Sequence, residues 1–417
     1  MKLLVISAAF PPMRAGEADH VFHLCRYLAE RDVDVHVLTT RANVVRERLP
    51  FRVYPLVRDW SWRDLPLLAR FIKRCSPDAV LLKYIGWIYD YHPMVTYAAT
   101  LAKRIFPEAP FVTQFANAEG AHPEELSRSA RLIRKLASRW AGGAKVDYAF
   151  GTLLRDSDRV IVLSEHHEAV LARSLGEIKK KSVLIPPPPL LPIAPEQNGA
   201  TRARKREELG VKPDEFLIAF FGYVLPGKGV ETLLRAFALA SRARSNLRLM
   251  LVGGVIAREY PDQPDYPSAM RALARETRME SKIHWLGDYD WNSDGASACL
   301  RASDLCALPF DQGATLNRST IAAAAAHGLP ILTTSAPNME AAFVHGENVF
   351  LCAPKDPCAM AQAIERLAAD RALLSRLRSG ARQLAADWFS WDKAVERTIG
   401  ALGGARARPS LSSAAVS

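Results

Sequence analysis

The sequence predicts an α/β protein of two doubly wound parallel sheets, one in each half of the chain. Strand-like apolar runs alternate with helical patterns almost throughout, which is how βαβ units read in a sequence. The alternation stops once, at Pro186-Pro187-Pro188-Pro189, and then restarts. A chain of 417 residues is also long for one domain and natural for two. With 49% apolar and 24% charged residues, the composition is that of a globular chain able to fill both cores.

The elements follow in order. The run 2–7 is a buried strand; it is too short for a signal peptide, and Pro11-Pro12 and charges follow at once. A helix at 18–31 places Val21, Leu24, Cys25 and Leu28 on one side. Further strands are expected at 33–39, 79–83, 111–114, 159–163 and 182–185. From Pro186 to Arg204 the prolines and Gln197-Asn198-Gly199 continue neither helix nor central strand, so 191–204 reads as a linker between domains 1–190 and 205–387. In the second half, strands at 216–221, 248–252, 283–286, 305–308 and 331–334 alternate with helices at 229–241, 268–279 and 296–302. Helices at 357–369 and 371–387 follow, then an aromatic-anchored helix within 388–402. The tail 403–417 is small and polar and reads as disordered.

Composition excludes several function classes. No run approaches 18 apolar residues, so no transmembrane helix is expected. The six cysteines form no CxxC pair and the histidines show no ligand spacing, which points to reduced thiols in a cytoplasmic protein and to no metal site. The net charge is +11, yet no nucleic-acid motif is visible. The clearest basic segment is 124–141, EELSRSARLIRKLASRWA, with Leu126, Ala130, Ile133, Ala137 and Trp140 on one helical face. It has two readings: a core-facing helix with a solvated basic face, or a helix in peripheral contact with an anionic inner-membrane surface.

The most informative stretch is LPFDQGATLNRSTIAAAAAHGLPILTT, from Leu308 to Thr334. A strand ends near Phe310, a Gly-containing loop follows, and a helix starts near Ser319-Thr320, both good N-cap residues. A loop feeding a helix N-terminus collects unpaired N–H groups and the positive dipole end, which suits a phosphate. The loop FGYVLPGKGV, from Phe221 to Val230, follows the first strand of the same domain. Its glycines fail the P-loop spacing, but Lys228 at a Gly-rich strand-to-helix turn places an ammonium against a diphosphate. In the first half, Ala15-Gly16-Glu17 opens a helix after the first strand, a structural turn or a ligand loop.

Over roughly residues 1–402 the chain resembles the GT-B-fold glycosyltransferases of family 4, the retaining nucleotide-sugar transferases. The resemblance rests on PPMRAGEADHVFHLCRYLAERDVDVHVLTT, DRVIVLSEHHEAVL, FFGYVLPGKGVETLLRAF, HGLPILTT and WFSWDKAVERTIGAL, in that order. It implies two Rossmann-like domains facing across a cleft, an acceptor-side domain first and a donor-binding domain second. The final helix then returns to the first domain. It implies transfer from a nucleotide-diphosphate-sugar to a glycan, lipid-linked or small-molecule acceptor with retention of configuration, and no metal or other cofactor. Lys228 matches the family's phosphate lysine, and Gly16 the second glycine of its paired-glycine loop. The donor-binding set implied is Gly16, Gly222, Tyr223, Gly227, Lys228, Gly253, Asp311, Gly313, Thr315, Asn317, Arg318, Ser319 and Thr320. The acceptor-side set is Ala15, Glu17, Phe115, Asn117 and Glu119, and the catalytic cations are Lys228 and Arg318.

The departures from the family are substantial. The two glutamates expected around the donor loop fall at Thr315 and Ala323, and the phosphate arginine falls at Tyr223. The first glycine of the paired loop is Ala15, and the usual histidine aligns with Phe115, with Asn117 and Glu119 close behind. Arg318 can return the lost positive charge from the other loop, and Asp311 offers a carboxylate out of register. These losses leave two further readings beside transfer: a non-catalytic GT-B partner of an active transferase, and a nucleotide-sugar epimerase of the same fold.

Overall fold

The computed structural model describes residues 1–117, 128–143, 146–193, 199–254, 265–289 and 293–403. Contacts divide the chain into two units. The first is 1–185 together with the residues from Asp392 on, and the second runs from Pro186 to Trp391.

The first unit holds seven strands: β1 (Lys2–Ile6), β2 (Asp34–Thr40), β3 (Arg52–Val57), β4 (Ala79–Tyr84), β5 (Phe111–Phe115), β6 (Arg159–Val162) and β7 (Ser182–Leu184). They form one sheet in the order β3-β2-β1-β4-β5-β6-β7, and every pairing in it is parallel. Both faces are covered, so β4 and β5 are buried at every residue, the continuous apolar reading of a central parallel strand. Leu4, Ile6, Leu82 and Phe111 anchor the core on one face; each such side chain contributes about 1.5–3 kcal/mol by leaving water. The helix Gly16–Ala29 covers part of the sheet with Val21, Leu24, Cys25 and Leu28.

The second unit holds six strands: β8 (Phe216–Phe221), β9 (Leu247–Val252), β10 (Ile283–Trp285), β11 (Leu305–Leu308), β12 (Ile331–Thr334) and β13 (Phe350–Cys352). Their order is β10-β9-β8-β11-β12-β13, again all parallel. The helix Val230–Ala243 packs Leu233, Leu234 and Phe237 into a core shared with Ile364 and Leu377.

Three sequence expectations change here. The short strands β3 and β13 fall outside the predicted set, because β3 is mostly half-buried and β13 is three residues long. The predicted linker 191–204 contains the start of a helix, Ala200–Glu208. Its basic residues are fixed: Arg202 and Arg206 both pair with Asp304, and Arg202 donates to the carbonyls of Arg301, Ala302 and Ser303 at the end of the helix Gly295–Ala302. A cation there satisfies carbonyls the helix itself cannot. Residues 194–198 of that linker lie outside the described residues. The last helix is Trp391–Ala401, shorter than 388–402; Asp392 pairs with Arg31, and Arg397 donates to the Leu184 carbonyl at 3.3 Å. The predicted tail from 404 lies outside the described residues.

The basic segment forms the helix Arg128–Trp140, and its remainder at 124–127 is outside the described residues. Leu132, Ile133 and Leu136 are 59%, 43% and 53% exposed. The core-facing reading therefore fails for the described part. Among the described residues no helix is long and apolar enough to cross a membrane. All six cysteines are free thiols.

Candidate functional site

Each sheet reverses its strand order at one point, between β1 and β4 in the first unit and between β8 and β11 in the second. Loops leaving the carboxyl ends of strands at such a point open a crevice, the common ligand position in doubly wound sheets. The motifs singled out in the sequence lie at these two points.

In the second unit the loop after β8 carries Gly222, Tyr223, Gly227 and Lys228, and the loop after β11 runs from Pro309 to Arg318. The two are stitched together where Asp311 N–H donates to the Gly227 carbonyl at 3.1 Å. Gly229 has φ +71°, and a Cβ there would lie 1.7 Å from the Pro309 carbonyl oxygen. Only glycine permits both that conformation and that approach. A Cβ on Gly253, after β9, would lie 2.2 Å from the Gly222 carbonyl oxygen, so the β8 and β9 loops also touch through backbone.

These contacts bring the two candidate cations to one aromatic ring. Lys228 Nζ lies 5.4 Å from the centroid of Phe310, and Arg318 Cζ lies 4.8 Å from it. Phe310 is buried. Its π face attracts both cations and gives them a low-dielectric backing, where they act more strongly on an anion than they would in water.

The helix after Arg318 is Ser319–Ala326. Ser319 and Thr320 are not its caps, as expected from sequence, but its first two helical residues. The N-cap is Arg318, with extended backbone (φ −87°, ψ 92°) and no side-chain cap bond. The Arg318 side chain therefore does not cap the first N–H groups of the helix. Thr320 Oγ1 is enclosed and has no hydrogen-bond partner among the described residues, and its methyl group is 3.1 Å from where a Cβ on Gly222 would stand. A buried hydroxyl without a partner beside a helix N-terminus is a place for a ligand oxygen.

Thr315 donates to Asn317 Oδ1 at 2.5 Å. Gly313 N–H donates to the Phe310 carbonyl at 3.1 Å, and Ala314 N–H to the Thr334 carbonyl at 2.9 Å, which pins the middle of the loop to β12. Ala323 is fully buried in its helix. One carboxylate that bonds the loop was missed in the sequence reading: Glu340, 2% exposed, accepts from Leu316 N–H. Asp311 and Gly227 also line a cleft of about 440 Å³ with Glu231, Arg235, Tyr266 and Lys355. Burial there pushes the Tyr266 phenol up to about 12.

In the first unit, Ala15 is the extended N-cap of the helix that Gly16 starts, and its carbonyl accepts from Ala18 N–H and Asp19 N–H. Glu17 and Asp19 lie in the first turn; burial and then the Glu17 charge push the Asp19 carboxyl up to about 7. Phe115 does not face a ligand: it is fully buried at the end of β5, packed edge-on against Tyr84 and Phe150 at 5.4 and 5.3 Å. An aromatic at that register faces the core, so alignment placed it in the site and packing removes it. Asn117 follows β5 and is half-buried, while Glu119 lies outside the described residues. The sequence reading also missed Lys83 on β4 and His20, buried side by side at this crevice. A lysine inside the run AVLLKY was the available signal. Among the described residues no group of His, Cys, Asp or Glu is arranged to hold a metal.

Comparison with known proteins agrees with this architecture. The profile described as Glycosyltransferase Family 4 matches residues 15–188, and that described as Glycosyl transferases group 1 matches residues 215–370. A D-inositol 3-phosphate glycosyltransferase of Streptomyces avermitilis is 26% identical over 319 residues, covering 76% of this chain and 61% of that protein. The chain therefore spans less than two thirds of that relative's length. The enzyme of the same name from Nocardia farcinica is 26% identical over 358 residues, covering 84% of this chain and 70% of its own. Among solved structures, Anabaena HepE, determined with UDP and glucose, superposes with a TM-score of 0.70 at 17% identity, covering 97% of this chain and 99% of its own. The sucrose-phosphate synthase of Thermosynechococcus elongatus gives 0.66 at 18% identity, covering 96% and 98%. At these identities the structural likeness speaks for the fold alone. With two profile matches in order, one on each parallel-sheet unit, the chain belongs to the GT-B-fold glycosyltransferases of family 4.

Proposed function

We propose that this protein is an active glycosyltransferase that moves a sugar from a nucleotide-diphosphate-sugar to an acceptor with retention of configuration. The observation that carries the reading is the pair Lys228 and Arg318 over the Phe310 ring, beside the start of the helix Ser319–Ala326. Departure of a nucleoside diphosphate develops negative charge on its terminal phosphate. Two fixed cations and a helix N-terminus meet that charge without reorganising. Arg318 takes the part of the arginine missing at Tyr223, and the Thr320 hydroxyl accepts or donates to a donor oxygen. In the second unit, Gly222, Gly227, Gly253, Gly313, Asp311, Thr315, Asn317 and Ser319 complete the proposed donor surroundings; in the first unit, Gly16 is the proposed donor-side glycine and Ala15, Glu17 and Asn117 are the proposed acceptor-side residues.

UDP is the first nucleotide to try, because HepE was solved with UDP and with UDP-glucose. Inositol 3-phosphate is the first acceptor to try, because the curated relatives are named for it. Calorimetric titration with UDP, followed by transfer from UDP-glucose and proton NMR of the anomeric centre of the product, tests the reading. Binding of no nucleoside diphosphate by the wild-type chain would sink it, and an inverted product would remove retention. The second reading, a non-catalytic GT-B partner, is favoured by Thr315 and the buried Ala323 in place of carboxylates. Nucleotide binding without transfer or hydrolysis of any sugar donor supports that reading instead.

The acceptor side also includes the helix Arg128–Trp140. Its exposed Leu132, Ile133 and Leu136 lie among Arg134, Lys135 and Arg139, a pattern suited to an anionic bilayer surface. Co-sedimentation with phosphatidylglycerol vesicles but not phosphatidylcholine vesicles is expected, and Leu132→Ser with Leu136→Ser should abolish it. Equal sedimentation of the double variant would rule out this surface.

A further inference from the structure

The first unit keeps a charged cluster where a core is expected. Lys83 is 3% exposed and His20 5% exposed, and Lys83 Nζ lies 3.4 Å from His20 Nδ1. The pair sits between β4 and the first turns of the helix Gly16–Ala29, at the point where the strand order reverses. The polar atoms around it are organised. Tyr89 donates its hydroxyl to the Lys83 carbonyl at 2.8 Å and accepts from Ala8 N–H at 3.3 Å, joining the end of β4 to the loop after β1. Asn43 and Thr40 both donate to the Ala8 carbonyl. The register partner of Lys83 on β5 is the buried Gln114. From the helix, the groups acting on Lys83 are Glu17 and Cys25, while His20 also feels His23.

We infer that Lys83 and His20 are positioning residues for the acceptor-side loop, drawing the first turn of the helix Gly16–Ala29, with Glu17, onto the end of β4 when the lysine is protonated. The inference rests on the acceptor-side reading above. With His20 Nδ1 unprotonated, the ammonium donates to it and attracts the Glu17 carboxylate; loss of the proton removes the attraction. Burial holds the Lys83 ammonium down to about 7, against the pull of Glu17 and Cys25, and burial together with the Lys83 charge holds His20 well below its ordinary value. The loop is therefore set tightly at mildly acid pH and relaxed at mildly alkaline pH. A buried amine also costs stability. Its folded value lies below the unfolded one, so the unfolded chain binds the extra proton between about pH 7 and 10.5 and stability rises across that window. A residue kept at that cost, with an apolar isostere available, points to function rather than packing.

The test uses the full chain, wild type and Lys83→Met, with amide hydrogen exchange of the segment 13–19 followed from about pH 6 to 8 after correction for chemical exchange. The wild type should lose protection in this segment as pH rises. Asp19, in the same turn and pushed up to about 7, titrates in both proteins, so Lys83→Met should show a smaller step and Lys83→Met with Asp19→Asn none. Lys83→Met should melt no lower than wild type at pH 6, bind UDP within about twofold, and transfer from UDP-glucose to inositol 3-phosphate about 10- to 100-fold more slowly. If Lys83→Met fails to fold, Glu17→Gln, which keeps the lysine and removes the charge it attracts, should likewise shrink the pH step. Identical exchange in wild type and variant at every pH overturns the inference. Absence of transfer by the wild type counts against the catalytic reading instead, and the exchange result still decides this one.

Discussion

The two units solve one problem with opposite materials. Both must hold a loop at the point where strand order reverses. In the second unit the holding is done by backbone: Gly222 against Gly253, and Gly229 against Pro309. In the first it is done by side chains: Tyr89 bridges Ala8 and Lys83, with Asn43 and Thr40 on the Ala8 carbonyl. The charge follows the material. Glycine contacts leave the surface of the second unit open for Lys228 and Arg318, both partly exposed. The side-chain clamp of the first unit buries its cation, Lys83. An outward cation can meet a charged ligand directly, and a buried one acts through what it positions.

The largest expected effect on ligand binding tests the outward cations. Lys228→Ala should weaken UDP binding roughly 10- to 100-fold, the value of a charge-assisted hydrogen bond to phosphate, and Arg318→Ala should do the same. Titration calorimetry reads both. Unchanged affinity in both variants would break the contrast, since the second unit would then hold its cations for stability only.

Gly229→Ala should destabilise the second unit by roughly 2–4 kcal/mol, combining left-handed backbone strain with a collision on Pro309. Gly210→Ala is the control: φ is +63° there, but a Cβ would meet nothing within 4 Å. Only the strain applies at Gly210, so its urea midpoint should move less. Equal shifts would show that the close approach at Pro309 relaxes freely and that backbone contact is not what holds these loops.

Tyr89→Phe is the matching cut in the first unit. It leaves Ala8 N–H and the Lys83 carbonyl without the buried hydroxyl that joins them, at an expected cost of about 1–3 kcal/mol. Chemical denaturation followed by near-ultraviolet signal measures it. A loss below that range would mean that Asn43 and Thr40 suffice to hold the loop.

How much of this was legible in the sequence follows from the same contrast. Both sheets could be read, since central parallel strands are continuous apolar runs and glycine-rich turns punctuate them. The Lys228 loop and the Arg318 loop could be read because their residues lie close together in the chain. What the sequence hides is partnership at long range. Phe310 reads as the end of a strand until two cations from different loops are seen on its ring. Glu340 lies 24 residues from Leu316, the amide it accepts from. Lys83 and His20 are 63 residues apart, and each alone resembles an ordinary polar interruption. Phe115 went wrong for the complementary reason: alignment fixes a position along a strand, but the pleat decides which face the side chain takes.

The smallest expected effect asks whether the outward cations depend on their aromatic backing. Phe310→Leu keeps an apolar residue of similar reach but removes the π face under Lys228 and Arg318. Each partly exposed cation–π contact is worth about 0.5–1 kcal/mol. The cations remain and keep their phosphate contacts, so UDP affinity should fall only about two- to fivefold, short of the loss on removing either cation. The variant should also make UDP binding more sensitive to salt, because cations freed from the ring are better hydrated and more easily screened. If affinity and salt dependence both stay at wild-type values, the ring is mere packing. The second unit would then present its charges by loop geometry alone.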